Sequence, residues 1–202
     1  FRGIRIRETW EGEIKNKNDK FLLNMKNRYS PIPSFLSINF DSNFKLDNVS
    51  FSRIFNSNKG SIEVLKEDNS YIWIANNFPL DELELSIRNN QFDRLKGIIN
   101  GSGSISSEQS YLDGRLAWSL GKYRNIELDN SLFDFSFKSN IFSFSSSLYP
   151  VDGGIIEFDY DTNKNNLIYL DFNNISTSWT ILTALDIFNF ENKKVIPIMK
   201  SN

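Results

Sequence analysis

The chain contains neither cysteine nor histidine. Without cysteine there can be no disulfide and no thiolate metal site, and the redox compartment leaves no mark on the sequence. Without histidine the commonest general base and the commonest transition-metal ligand are gone. A nucleophilic triad would have no imidazole to activate its serine, and no Gly-x-Ser-x-Gly elbow occurs. Gly97, Gly101 and Gly103 do not form a nucleotide fingerprint, and no Gly-Lys-Ser/Thr follows them. Calcium loops need dense acids around a central glycine. Asp152-Gly153-Gly154 and Asp159-Tyr160-Asp161 are too sparse for that. The expectation is a protein with no metal, no cofactor and no catalytic residues.

Charge is also lacking. A formal net charge of −2 offers no basic face for a nucleic acid, so none is expected as a partner. No run approaches the roughly 18 apolar residues of a membrane helix, so no spanning segment is expected in this stretch. There is no signal-peptide pattern and no initiator methionine. Phe1 opens directly in a strand-like segment, and we expect these 202 residues to be a piece of something longer.

Some features tempt a functional reading without carrying one. The chain has 25 Asp plus Glu, so some pair will lie at a glycosidase-like distance by chance. Glu157 and Asp159 share a strand face, where a solvated outer surface explains them. Trp10, Trp73, Trp118 and Trp179 could form a sugar platform, but they are spread along the chain and core burial explains them. Three glycosylation sequons, at Asn48, Asn100 and Asn174, are expected by chance in so asparagine-rich a chain.

What is present is aromatic. There are 18 Phe against 7 Tyr and 4 Trp, and phenylalanine buries area without offering a hydrogen bond. The pattern is clearest over Ser131–Phe172. Phe133, Phe135 and Phe137 alternate with Asp134, Ser136 and Lys138. Phe142 and Phe144 alternate with serines. After the turn Pro150-Val151-Asp152-Gly153-Gly154, Ile156, Phe158 and Tyr160 alternate with Glu157 and Asp159, and Ile168, Leu170 and Phe172 follow. Side chains on a strand point alternately to its two faces, so these large residues are expected to share one.

The rest of the chain continues the theme. Two strands are expected in Phe1–Lys26, one in which Gly3–Arg7 alternates and Trp10, Gly12 and Ile14 continue the series, and one that returns over Phe21–Met25. Pro31 and Pro33 mark a strand start or an edge. Further strands fall near Phe35–Phe55 and from Ile62. Tyr71–Ala75 is apolar at every position, as a strand covered on both faces would be. Phe78–Leu83 has the acids of a helix start and could form one helical turn. Gly97–Ile105 and Gly114–Leu120 are strands, the first with glycines that mark bends or close backbone approach, and Gly121-Lys122 is the turn after the second. Ser178 could cap a helix over Trp179–Phe188, although Thr180, Ile181 and Thr183 favour a strand there. Val195–Met199 is a last strand. Turns every 8–15 residues or so, without a long helix, imply an all-β antiparallel meander. A sandwich, a barrel and an open curved sheet all satisfy that pattern.

The stretch Asn77–Phe172 resembles the TamB family, the translocation and assembly module proteins related to AsmA. The resemblance rests on Phe78-Pro79-Leu80-Asp81-Glu82-Leu83, on the glycine-studded Leu95–Ile105, on Tyr111-Leu112-Asp113-Gly114-Arg115-Leu116-Ala117-Trp118, and on Tyr149–Phe158 with its following strands. Where that family often has a proline before its Gly-x-Leu strand, this chain has Ser106-Ser107-Glu108-Gln109-Ser110. Residues 1–76 fit as a weaker version of the same meander, so residues 1–202 would form one β-groove segment.

The resemblance implies an elongated, curved antiparallel sheet folded into an open hydrophobic groove, with at most short helical turns. It implies a place in the periplasm or an equivalent intermembrane space, with an inner-membrane anchor outside this chain. It implies phospholipid acyl chains as guests and an outer-membrane β-barrel assembly protein as a further partner. Under that reading Phe133, Phe135, Phe137, Phe142, Phe144, Ile156, Phe158, Tyr160, Ile168, Leu170 and Phe172 line the groove. The physics agrees, because exposing an acyl chain to water costs about 0.8 kcal/mol per CH₂, on the order of 10 kcal/mol in all. The rival expectation is a β-sandwich module that binds carbohydrate or protein. Its signature would be two sheets packed roughly 10 Å apart around a closed core.

Overall fold

A computed structural model describes residues 4–5, 9–17, 20–28, 32–81, 83–86, 92–106, 110–123, 126–163 and 168–181. Among the described residues fifteen strands follow one another. In the first half they are β1 (Ile4–Arg5), β2 (Trp10–Lys17), β3 (Lys20–Asn27), β4 (Ser34–Phe40), β5 (Leu46–Phe55), β6 (Asn58–Glu67) and β7 (Ser70–Pro79). In the second they are β8 (Leu83–Ser86), β9 (Phe92–Ser106), β10 (Tyr111–Tyr123), β11 (Ile126–Leu128), β12 (Ser131–Lys138), β13 (Ile141–Leu148), β14 (Ile155–Asp161) and β15 (Ile168–Asn173). All belong to one antiparallel sheet, whose main path runs β15-β14-β13-β12-β10-β9-β7-β6-β5-β4-β3-β2.

The sheet is open. Its path does not close on itself, and strands touch their hydrogen-bonded neighbours, with β5 and β7 in addition meeting across β6. No second sheet packs on it among the described residues, so neither the sandwich nor the barrel is present. The meander follows from the sequence: short strands are joined by tight turns whose residues take left-handed φ values, as at Asn56-Ser57, Asp68 and Ser139-Asn140.

Several local expectations are corrected. Phe78–Leu83 is not a helical turn. Phe78 and Pro79 end β7, Leu83 opens β8, and both strands lie along β9, so Asp81 sits in an interruption of one long strand. The Leu80 amide donates to the Gly97 carbonyl across that interruption (2.8 Å). Gly97 has φ 111, a value that disfavours any side chain. Gly121-Lys122 is not a turn either; β10 passes through it after a bulge at Leu120 (φ 52) and pairs on with β11. Tyr71–Ala75 is not covered twice, since Ile72 and Ile74 lie on the opposite face from Tyr71, Trp73 and Ala75 and Ile74 is exposed.

A short helix spans residues 177–181. Ser176 caps it, not Ser178: its hydroxyl accepts from the Trp179 amide (3.2 Å) and its carbonyl from the Thr180 amide (3.0 Å). The helix tucks Trp179 against Leu128 and Ile156, with Trp118, Ile126, Leu148 and Ile175 around them. That small cluster closes one end of the apolar face. The remainder of the expected helix, through Phe188, and the Val195–Met199 strand lie outside the described residues.

Candidate functional site: an apolar sheet face

Register turns the period-two alternation into two chemically distinct faces. Directly paired residues lie on the same side of a sheet. Across the main path, one row reads Ile14, Leu23, Ile38, Val49, Val64, Trp73, Gly103, Gly114, Phe135, Phe144, Tyr160, Ile168. No charged side chain interrupts it on any of the twelve strands. The next row on the same face reads Gly12, Met25, Leu36, Phe51, Ile62, Ala75, Gly101, Leu116, Phe133, Ser146, Phe158, Leu170. At the usual strand spacing each row is about 50 Å long.

The intervening row belongs to the other face. It reads Glu13, Asn24, Ser37, Ser50, Glu63, Ile74, Ser102, Arg115, Asp134, Ser145, Asp159, Tyr169 and is polar at every step except Ile74. The sheet is therefore amphipathic across its whole width.

All eleven residues singled out from the sequence fall on the apolar face. Phe135, Phe144, Tyr160 and Ile168 share the first row, and Phe133, Phe158 and Leu170 the second. Phe137 pairs with Phe142, and Ile156 with Phe172. Their rings touch in series: Phe133 to Phe144 at 6.3 Å, Phe144 to Phe158 at 5.6 Å edge-on, and Phe142 to Tyr160 at 6.1 Å. Ile156 is buried under Trp179, whereas Phe142, Ile168, Leu170 and Phe172 are exposed.

The first half contributes as much to this face as the second, which the sequence did not disclose. Trp10 reaches Phe51 (6.1 Å) past β3 and β4, and Phe51 reaches Phe78 (5.3 Å) past β6. At the centre the floor drops, because β9 and β10 present Gly101, Gly103 and Gly114. The Trp73 indole lies in that hollow and donates from Nε1 to the Asp113 carbonyl (3.1 Å). A Cβ on Gly114 would come within 2.1 Å of Trp73 Cζ2. The glycines of Gly97–Ile105 mark close approach in the sequence, and at Gly103 what approaches is Trp73, 8% exposed, which alternation alone does not single out; the same role at Gly114 is not marked in the sequence.

One end of the face is fixed by a buried arginine. Arg53 donates from Nη1 to the Pro79 carbonyl (2.7 Å) and from Nε to the Ser34 hydroxyl (3.4 Å), and its guanidinium lies 5.9 Å from the Phe78 ring centroid.

The polar face holds a depression of about 1140 Å³ between β9 and β15. Its floor is low because Ser102, Ser104, Ser136, Ser143 and Ser145 are short. Arg115 pairs with Asp134 (2.6 Å) in an exposed contact. Burial pushes the Asp113 carboxyl up, but the Ser104 hydroxyl (2.6 Å), the Tyr111 hydroxyl and the Ser104 amide (2.8 Å) outweigh it and hold the group below the ordinary aspartate value. Glu157 and Asp159 are exposed there, as a solvated outer surface requires. No group of three or more metal-ligating side chains gathers among the described residues.

No family model, no curated protein and no solved structure matches the chain.

Proposed function

We propose that this chain is a segment of an open β-trough carrier that holds the hydrocarbon chains of phospholipids on its apolar face. The observation that carries the reading is the uninterrupted apolar row from Ile14 to Ile168, with no second layer over it among the described residues. A soluble protein rarely leaves a large apolar patch without a partner. A closed β-sandwich would have buried this face against a second sheet, and none is present among the described residues.

The chemistry suits a sliding guest. Phenylalanine, leucine, isoleucine and valine give contact without direction, so a chain can move along the row without breaking hydrogen bonds. Each methylene kept from water is worth about 0.8 kcal/mol, so a trough of this kind removes most of the barrier to moving a lipid through an aqueous space. No reacting group is needed, and the role is that of a carrier rather than an enzyme. The resemblance to the TamB family points the same way, to a cell-envelope bridge between two membranes that supports lipid traffic or outer-membrane protein assembly.

Site-specific photo-crosslinking tests the reading. A photoreactive residue at Phe135, on the apolar face, is expected to capture phospholipid from mixed micelles or co-expressed membranes. The same residue at Ser145, on the polar face, is expected to capture none. With the photoreactive residue placed instead at Phe144, the apolar-face partner of Phe135, Phe135→Asp should reduce lipid capture at least tenfold while the circular dichroism spectrum stays all-β. Equal labelling at both positions, or normal capture by Phe135→Asp, removes the proposal.

A further inference from the structure

The two margins of the sheet differ. Among the described residues β15 pairs with β14 alone and β2 with β3 alone, so each has one side without a neighbouring strand. Sheets guard such margins with charge, proline or bulges. β2 carries Glu11, Glu13 and Lys15 on its polar side. β15 has a single charged residue, Asp171, with no proline and no bulge, and Phe172 is 55% exposed.

We propose that β15 receives strand β2 of a second copy of this chain, extending the sheet head to tail, with Phe172 opposite Ile14 on the apolar face and Asp171 opposite Lys15 on the polar face. Strand direction allows it. The main path holds an even number of antiparallel strands, so a copy displaced along the path brings its β2 antiparallel to β15. Parity limits the register, because a slip of one residue would turn every apolar side chain to the polar face. Ile14 can then face Ile168, Leu170 or Phe172.

Charge decides among these three. With Ile14 opposite Ile168, Asp171 meets Glu11. With Ile14 opposite Leu170, it meets Glu13. With Ile14 opposite Phe172, it meets Lys15. Like charges directly opposite weaken a strand pair and opposite charges strengthen it. Glu157, the β14 partner of Asp171, and Asp159 beside it add negative charge on the receiving side. Lys15 touches Glu13 of its own strand (2.7 Å), but both are exposed and such pairs are weak. Each of the three registers covers Ile14, which is 74% exposed. The contact is heterologous, so each added copy leaves a free β2 and a free β15 and assembly does not close. None of this depends on what the trough carries.

The absence of cysteine makes the test clean. Ile14→Cys chains mixed with Phe172→Cys chains should give a mixed disulfide dimer under mild oxidation, since residues paired across antiparallel strands lie within disulfide range. Ile14→Cys mixed with Ile168→Cys or Leu170→Cys should give far less. In sedimentation the average mass of the full chain should climb with concentration without a plateau. Asp171→Lys and Lys15→Glu should each weaken association about tenfold, and mixing the two variants should restore it. The proposal fails if the chain stays monomeric with no mixed disulfide, if mass levels off at a dimer, or if Asp171→Lys strengthens association.

Discussion

Trp73 and Phe135 stack with ring planes 9° apart and centroids 5.9 Å apart, although β9 and β10 run between their strands. The contact exists because those two strands present glycine at the crossing. The indole lies on bare backbone at Gly103 and Gly114 and fills the hollow that two side chains would otherwise occupy. Sequence, packing and the shape of the apolar face meet at this one place.

Gly114→Ala should therefore be costly for its size. The new methyl would sit 2.1 Å from Trp73 Cζ2 and 2.8 Å from Phe135 Cζ, so the stack must shift. Overpacking of this kind costs about 1–3 kcal/mol, and we expect the upper end. In a Trp73→Leu background the same change should cost less than about 1 kcal/mol. Urea unfolding of the four proteins gives the coupling, and additive costs would show that the indole does not rest on Gly114.

Arg53→Ala should destabilise by about 2–4 kcal/mol. Arg53 is 1% exposed, and its removal leaves the Pro79 carbonyl and the Ser34 hydroxyl short of a donor beside the Phe78 ring. Arg53→Gln, which can still reach one acceptor, should recover part of the loss. A cost within experimental error of zero for Arg53→Ala would mean that water replaces the guanidinium and that this end of the face is not fixed by it.

Asp113 should make stability acid-sensitive. Its carboxyl titrates lower folded than unfolded, because the hydrogen bonds from Ser104 and Tyr111 outweigh the opposing effect of burial. A depressed folded value stabilises the protein above the unfolded value, about 3.9, and that contribution fades as pH falls through the lower folded value. Asp113→Asn should then be less stable than the parent at pH 7, and the difference should shrink as pH falls below the unfolded aspartate value. A difference that stays constant from pH 7 to pH 3 would mean that the carboxylate charge contributes nothing. Asp41, held low chiefly by the Lys45 amide, predicts the same direction for the parent chain.

The apolar face was legible over Ser131–Phe172 because alternation there is nearly strict, and period two is a property of a single strand. The same signal was weaker elsewhere. In Tyr71–Ala75 the isoleucines at 72 and 74 hid the alternation, so Trp73 did not stand out. At Phe78–Leu83 a proline followed by acids resembles a helix start, and only pairing with β9 reveals an interrupted strand. Gly121-Lys122 looks like a turn because the bulge at Leu120 breaks the period while the strand continues. Ser176 and Ser178 are equally good capping residues in sequence. The site where the helix begins decides between them, and there Ser176 accepts the Trp179 amide.

By itself the sequence determined that the protein is built from short antiparallel strands with one greasy side, because turn chemistry and alternation are local properties of the chain. Over Ser131–Phe172 it also determined which large residues share that side within each strand. Only the tertiary structure decided that the side runs on through twelve strands, that β9 and β10 leave a glycine floor for Trp73, and that the sheet stays open. Those facts depend on register and on long-range pairing, which a one-residue slip would reverse and which no local pattern encodes.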